Sequence, residues 1–258
     1  MQFGVCTSIE KSPVMKEAGW DFIEEHVQNL LQGHLPESEW KGMERLRAAA
    51  LPVYAANCLV PGAMKIVGPE ADLRRLEDYM RVVVERAARV GIKVLVFGSG
   101  GARKVPEGWD GQKARRQIMD FARMATQLAS ARGITLVLEP LSRKECNIVT
   151  SVAEAMTYVK EIGQPGFACL VDSYHFWRNN EPLEELRPAV PWIRHVHVSD
   201  ADRTPPGNSG TSDYRPFFRV LKEGGYDGPL SVEASGFNAE VGFARKVLDY
   251  LRKEWEQA

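Results

Sequence analysis

The sequence predicts an α/β fold, a single-domain (β/α)8 barrel, on three observations. Short apolar runs alternate with longer amphipathic stretches along the whole chain, and this alternation favours parallel strands joined by right-handed helical crossovers. Eight runs qualify as strands, which at 258 residues fits a closed barrel. No Ser/Gly/Pro-rich linker divides the chain, so residues 1–258 are predicted to form one domain. The alternative is an open doubly wound sheet, which would prefer a glycine fingerprint after the first strand, where residues 7–10 read Thr-Ser-Ile-Glu.

Most of the predicted strands are rich in Val, Ile, Leu or Phe, as expected of strands buried on both faces. The second is the weakest, because only two of its residues are apolar. The predicted strands are Gln2–Cys6, Asp21–Glu25, Pro52–Asn57, Val94–Gly98, Thr135–Glu139, Ala168–Asp172, Ile193–Val198 and Leu230–Glu233.

Apolar residues at helical spacing fill the gaps between these strands. In Ala71–Val90 they recur at three- and four-residue intervals, and Gly91 follows as a typical helix end. The connections after strands one and six look short. The predicted helices are Glu39–Ala50, Ala71–Val90, Lys113–Ala131, Ser151–Ile162, Asp213–Glu223 and Asn238–Trp255.

Composition narrows the functional classes. The 33 basic and 34 acidic residues are mixed along the chain, whereas a nucleic-acid binder usually shows a basic surplus. No apolar run approaches the roughly 20 residues that span a bilayer, and the N-terminus lacks the long apolar core of a signal peptide. The four cysteines show no CxxC spacing. We therefore expect a cytoplasmic protein with reduced thiols and neither a nucleic-acid nor a membrane partner.

Charged residues fall where the last four predicted strands end. Strand five ends at Glu139, strand six at Asp172 and strand eight at Glu233, while strand seven contains His195 and His197. Strand ends converge at the mouth of a barrel, where barrel enzymes keep their active sites. Carboxylates with one imidazole suit Mn²⁺, Mg²⁺ or Co²⁺. One carboxylate alone is readily explained as a helix cap or surface charge, but four consecutive strands favour a metal site. His197 is nearer the mouth and is the predicted ligand, while His195 supports the site or packs in the core.

Four segments carry a family resemblance. They read LVLEPLSRKECN, LVDSYHF, HVHVSDADR and SVEAS, in that order. They resemble the xylose isomerase-like TIM barrel superfamily. Within it they are most similar to the sugar phosphate isomerase/epimerase group and to the ketose 3-epimerases of the D-tagatose and D-psicose type. The resemblance covers the whole chain as a fold, whereas its specific motifs lie in the second half.

The resemblance implies an isomerase with one divalent metal ion, Mn²⁺ ahead of Mg²⁺ or Co²⁺. By motif the metal ligands are Glu139, Asp172, His197 and Glu233. Glu139 and Glu233 would also be the catalytic acid/base pair. One removes the proton beside a sugar carbonyl and the other returns a proton on the opposite face, through an enediolate that the metal stabilises.

The resemblance also implies three substrate-binding residues and an oligomer. Glu145, His175 and Arg203 lie six, three and six positions after the ligands on strands five, six and seven. Without the resemblance, Glu145 and Arg203 would be solvated loop charges and His175 a packed polar group. A small sugar is the implied partner, and a homodimer or homotetramer the implied assembly.

Loops at the predicted mouth would select the substrate. The loop Gly98–Lys104 is glycine-rich and basic, so it could present N–H groups and a cation to a phosphate or carboxylate, or be a plain turn. The segment Asn57–Pro69 is predicted to lie over the mouth. Trp109 and Phe176 are candidates for the pocket wall or for ordinary packing.

Other functions remain open on this scaffold. An aldose–ketose isomerase would move a proton between adjacent carbons, and a dehydratase of the inosose or dehydroshikimate type would eliminate water. A DNA-repair endonuclease of this superfamily would need further zinc-binding histidines, but no histidine occurs between His34 and His175. A non-catalytic sugar-binding barrel would be expected to have lost a ligand, and none of the four is missing.

Overall fold

Eight parallel strands close into a barrel in chain order in the computed structural model, which describes residues 1–258. Each strand pairs with the next, and the last closes on the first, where Val232 lies opposite Val5. The predicted (β/α)8 barrel is therefore confirmed. The strands are β1 (Phe3–Cys6), β2 (Phe22–His26), β3 (Val53–Asn57), β4 (Val94–Phe97), β5 (Thr135–Leu138), β6 (Phe167–Asp172), β7 (Ile193–Val198) and β8 (Leu230–Val232).

Helices of very different length connect the strands. Three 3₁₀ turns supplement them at Ile9–Lys11, Glu37–Glu39 and Arg187–Trp192. No helix is both long enough and apolar enough to cross a membrane. The helices are α1 (Ser12–Ala18), α2 (Val27–Leu30), α3 (Gly42–Leu46), α4 (Leu73–Val90), α5 (Gly100–Arg103), α6 (Gly111–Ser130), α7 (Val152–Ile162), α8 (Ser173–Arg178), α9 (Leu183–Leu186), α10 (Tyr214–Glu223) and α11 (Val241–Gln257).

The helix predicted over Glu39–Ala50 is wrong in extent, because only Gly42–Leu46 is α-helical. Trp40 interrupts it with an extended backbone, φ −74° and ψ 123°. In this conformation the indole is buried and its N–H donates to the Leu30 carbonyl at 2.7 Å. Burial of a large aromatic ring with its polar atom satisfied outweighs the local helical tendency.

The barrel interior changes from apolar to polar along the strands. The Phe22 ring passes so close to Gly4 that a Cβ on Gly4 would lie 2.1 Å from the ring. Since residues two apart on a strand share a face, the next inward positions lie nearer the C-terminal mouth. The apolar layer consists of Ala55, Val94, Val96, Val137, Ala168 and Leu170. Along four strands, the inward-facing residue two positions after an apolar one is a buried polar side chain. These four residues are Glu24, Asn57, Glu139 and Asp172.

Candidate active site

The four predicted metal ligands meet at the C-terminal mouth of the barrel. One ligand atom from each of Glu139, Asp172, His197 and Glu233 lies within 4.8 Å of the others. His197 Nδ1 is 3.3 Å from Glu139 Oε1 and 3.6 Å from Glu233 Oε2. The imidazole is fully buried, and both Asp172 and Glu139 are nearly so. Parallel pairing of β5 to β8 therefore gathers residues that are almost 100 positions apart in the chain into one cluster.

Three of these four side chains carry a buried polar atom without a hydrogen-bond partner. The atoms are Glu139 Oε1, Asp172 Oδ2 and His197 Nδ1. Leaving such an atom unsatisfied is costly, and clusters of them in a native protein call for an explanation such as a bound ion. Three carboxylates and one imidazole form an oxygen-rich donor set that suits Mn²⁺, Mg²⁺ or Co²⁺. The residues present therefore fit a divalent cation.

The electrostatics of the cluster also favour a cation. Burial raises the pKa of Glu139 and Asp172, and the nearby charge of Glu233 acts in the same direction. Burial would raise the pKa of Glu233 as well, but His197 and Arg203 outweigh it and hold that pKa below its ordinary value. Burial would lower the pKa of His197, but the surrounding carboxylates raise it well above its ordinary value. Closely packed carboxylates that repel one another are stabilised by a positive ion between them.

The Glu233 carboxylate is held from both sides. Its Oε1 accepts a hydrogen bond from Asn57 Nδ2 at 2.8 Å, and its Oε2 accepts one from Arg203 Nη2 at 2.6 Å. The sequence predicts Arg203 as a site residue, but it does not predict Asn57. The only sequence signal for Asn57 is its position as the last residue of a predicted strand, the same position that marked the ligands.

A second residue that sequence reasoning missed lies beneath the cluster. Glu24, on β2, is fully buried, with Oε2 at 2.7 Å from His195 Nε2 and Oε1 at 2.9 Å from His197 Nε2. Burial would raise the pKa of Glu24, but the two imidazoles hold it well below its ordinary value. Two adjacent glutamates inside a predicted strand, Glu24-Glu25, were the available signal, since buried carboxylates are rarely found unpaired.

The three predicted substrate residues lie on one side of the cluster. His175 Nδ1 accepts a hydrogen bond from the Ser142 backbone N–H at 3.0 Å, and burial lowers the pKa of this imidazole. Its Nε2 is 3.4 Å from Arg203 Nη1. Glu145 Oε1 lies 3.2 Å from Ser142 Oγ, and 45% of the Glu145 side chain is exposed. All three residues line a cavity of about 270 Å³.

This cavity opens beside the two glutamates of the cluster. Glu139 and Glu233 line it, so both carboxylates face any molecule bound there. Two carboxylates facing one cavity are suited to proton transfer at a bound molecule. The predicted loop Asn57–Pro69 contributes to the wall through residues that include Cys58 and Val60, so its predicted position at the mouth is confirmed.

The glycine-rich loop after β4 lines the cavity through residues 98–101, whereas its Arg103 does not. Gly98 makes room for the cluster, because a Cβ there would lie 2.2 Å from Glu139 Oε2. Arg103 is fully buried and donates to the carbonyls of Phe97 at 3.0 Å, Glu139 at 2.6 Å and Val149 at 3.3 Å. Its guanidinium therefore ties the ends of β4 and β5 to the loop that precedes α7.

The two aromatic residues suggested as pocket walls serve as packing instead. Phe176 is 2% exposed, and its ring lies edge-on to Phe217 with the centroids 5.7 Å apart. Trp109 donates its indole N–H to Gln117 Oε1 at 3.2 Å. Neither lines the cavity, whose apolar wall includes Val60 and Leu141.

Comparison with known proteins supports the family. An L-ribulose-5-phosphate 3-epimerase of Escherichia coli strain SMS-3-5 is 25% identical over 271 aligned positions, covering 97% of this chain and 90% of the relative. A 3-dehydro-D-guloside 4-epimerase of E. coli K12 is 27% identical, covering 87% and 86%. A crystal structure of D-psicose 3-epimerase, obtained in the presence of D-fructose, shares the fold with a TM-score of 0.85, 17% identity and 99% coverage of both chains. Residues 13–254 match the family described as xylose isomerase-like TIM barrel. The chain belongs to this xylose isomerase-like TIM barrel family.

Proposed function

We propose that this protein is a metal-dependent sugar epimerase, and specifically a ketose 3-epimerase. The observation that carries the proposal is the cluster of Glu139, Asp172, His197 and Glu233 beside a small cavity. The sugar epimerases among its relatives support the same reaction class. Residues 1–258 would act as one domain, assembled as a homodimer or homotetramer, which sedimentation equilibrium can measure.

Glu139, Asp172, His197 and Glu233 would hold the divalent ion, with Mn²⁺ preferred over Mg²⁺ or Co²⁺. The unpartnered buried atoms of the first three residues support this assignment. When bound, such an ion polarises carbonyl and hydroxyl oxygens and stabilises the negative charge that develops during proton removal. The protein's own groups would supply the proton transfers and the substrate contacts.

Glu139 and Glu233 would exchange protons with the substrate from opposite sides of the carbon beside the carbonyl. One glutamate removes the proton, and the other delivers a proton to the opposite face, which inverts the centre. Asn57 and Arg203 would keep Glu233 in place, since each donates to one of its oxygens. Because the pair exchanges roles in the reverse direction, both epimers would be substrates.

Glu145, His175 and Arg203 would bind the sugar hydroxyls. His175 Nδ1 accepts a hydrogen bond from the backbone, so a neutral His175 carries its hydrogen on Nε2 and can donate it to a substrate oxygen. Glu145 is half-exposed at the cavity and would accept a hydroxyl hydrogen. The cavity volume of about 270 Å³ is slightly below the roughly 300–1,000 Å³ usual for pockets of drug-sized ligands, which supports a substrate of monosaccharide size.

Proton exchange in D₂O tests the proposal. The metal-loaded protein would be incubated with a panel of ketoses in the presence of Mg²⁺, and the products read by NMR. Deuterium at C3 together with a new epimer is the expected result, and chelator-treated protein is the control. Deuterium at C4 would instead favour the 4-epimerase reaction named for one relative, and loss of water would indicate a dehydratase. No exchange with any free, phosphorylated or keto sugar, in protein shown to hold metal, would contradict an epimerase.

A further inference from the structure

A buried carboxylate connects two histidines behind the proposed metal site. Glu24 comes from β2, which is three strands around the barrel from β7, the strand that carries His195 and His197. Its two oxygens are divided between them, Oε2 at 2.7 Å from His195 Nε2 and Oε1 at 2.9 Å from His197 Nε2. All three side chains are fully buried. Such a contact is not a surface ion pair but a fixed part of the interior.

The contact determines which nitrogen of His197 carries a hydrogen. An ionised carboxylate can only accept hydrogen bonds, so the imidazole must donate from Nε2. An imidazole that binds a metal ion is neutral and has only one N–H, so donation from Nε2 leaves the lone pair on Nδ1. His197 Nδ1 is buried without a hydrogen-bond partner and lies 3.3 Å from Glu139 Oε1. The lone pair of His197 is therefore on Nδ1, the nitrogen that faces the carboxylate cluster.

We propose that Glu24 is a positioning residue that fixes the ring orientation and tautomer of His197, so that Nδ1 is the metal-binding nitrogen. The inference rests on the proposed function, since it requires a metal ion at the cluster. Hydrogen bonds from the far nitrogen of a metal-binding histidine to a carboxylate orient the ring and raise its basicity, and their removal typically weakens metal binding. Glu24 reaches His197 from a strand that contributes no proposed ligand.

Glu24→Gln tests the proposal with little change in shape. A glutamine side chain has one acceptor oxygen and one donor NH₂ group, so it cannot accept from both imidazoles. One histidine must then turn or shift its hydrogen to Nδ1. Glu25→Gln is the matched control. Glu25 is the next residue on the same strand and is 2% exposed, but it accepts from the Ile9 backbone N–H at 2.8 Å on the other face.

The first readout is the affinity for Co²⁺. It is measured by titrating the metal-free proteins with Co²⁺ and monitoring visible absorption. We expect the Kd of Glu24→Gln to rise about 10- to 100-fold, with Glu25→Gln within about twofold of the wild type. Equal affinities for all three proteins would overturn the proposal. Failure of the wild type to bind Co²⁺ would contradict the proposed function itself, and this inference with it, so the two failures are distinguishable.

The second readout needs no variant. Nitrogen-15 NMR of histidine-labelled, Zn²⁺-loaded wild-type protein reports which ring nitrogen carries a hydrogen. We expect His197 to show a directly bonded hydrogen on Nε2 and none on Nδ1, and His195 to carry its hydrogen on Nε2 as well. A hydrogen on His197 Nδ1 would overturn the proposal even if Glu24→Gln failed to fold.

Discussion

The two halves of the barrel contribute different things to the site. The second half, β5 to β8, carries all four clustered groups at or beside its strand ends. The first half, β1 to β4, carries none of them, but it supplies the side chains and space that hold them. Glu24 contacts His197, Asn57 donates to Glu233, and Gly98 leaves room for Glu139. The second half thus carries the proposed chemistry together with one positioning contact, from Arg203 to Glu233, and the first half supplies the other three.

This division predicts that substitutions in the second half abolish function and those in the first half reduce it. The largest loss is expected for Glu233→Gln, because the amide can neither remove a proton nor carry the charge that a cation needs. A general acid or base typically contributes about 10²–10⁴-fold, so kcat should fall at least that far. Steady-state epimerisation measures it, with Glu139→Gln as the paired variant. Full activity in Glu233→Gln would refute the assignment of the catalytic groups to the second half of the barrel.

The next largest effect is expected for Gly98→Ala, in the first half. Its Cβ would lie 2.2 Å from Glu139 Oε2, so the carboxylate must move out of the cluster. A displacement of about 1 Å at a catalytic group can cost about 10²-fold, and we expect kcat/KM to fall by about that factor. Gly111→Ala is the control, since a Cβ there meets nothing within 4 Å. Equal activity of the two alanine variants would show that Glu139 needs no such room.

A smaller effect is expected for Asn57→Ala. The substitution removes the hydrogen bond to Glu233 Oε1, while Arg203 still holds Oε2. A hydrogen bond to a charged group contributes about 1.5–3 kcal/mol, and the remaining contact should limit the loss to about tenfold in kcat/KM. The loss should disappear in a Glu233→Gln background, because the two residues act together. If the two substitutions instead lowered kcat/KM additively, Asn57 would not act through Glu233.

The same division explains what the sequence could predict. Asp172 and Glu139 end apolar runs that are recognisable as buried strands, and parallel topology brings such ends together. No local pattern indicates the partner of Glu24, because His195 lies 171 positions away. Asn57 and Glu233 are 176 positions apart. No local pattern indicates the role of Arg103 either, since its three carbonyl partners come together only once the backbone has folded around it.

The most direct test of the central claim is the anomalous scattering of a crystal grown with Mn²⁺. We expect one strong peak at the C-terminal mouth of the barrel, with Glu139, Asp172, Glu233 and the Nδ1 atom of His197 as its protein ligands. An empty cluster at saturating Mn²⁺, or a peak held by other residues, would contradict the metal site and the mechanism built on it.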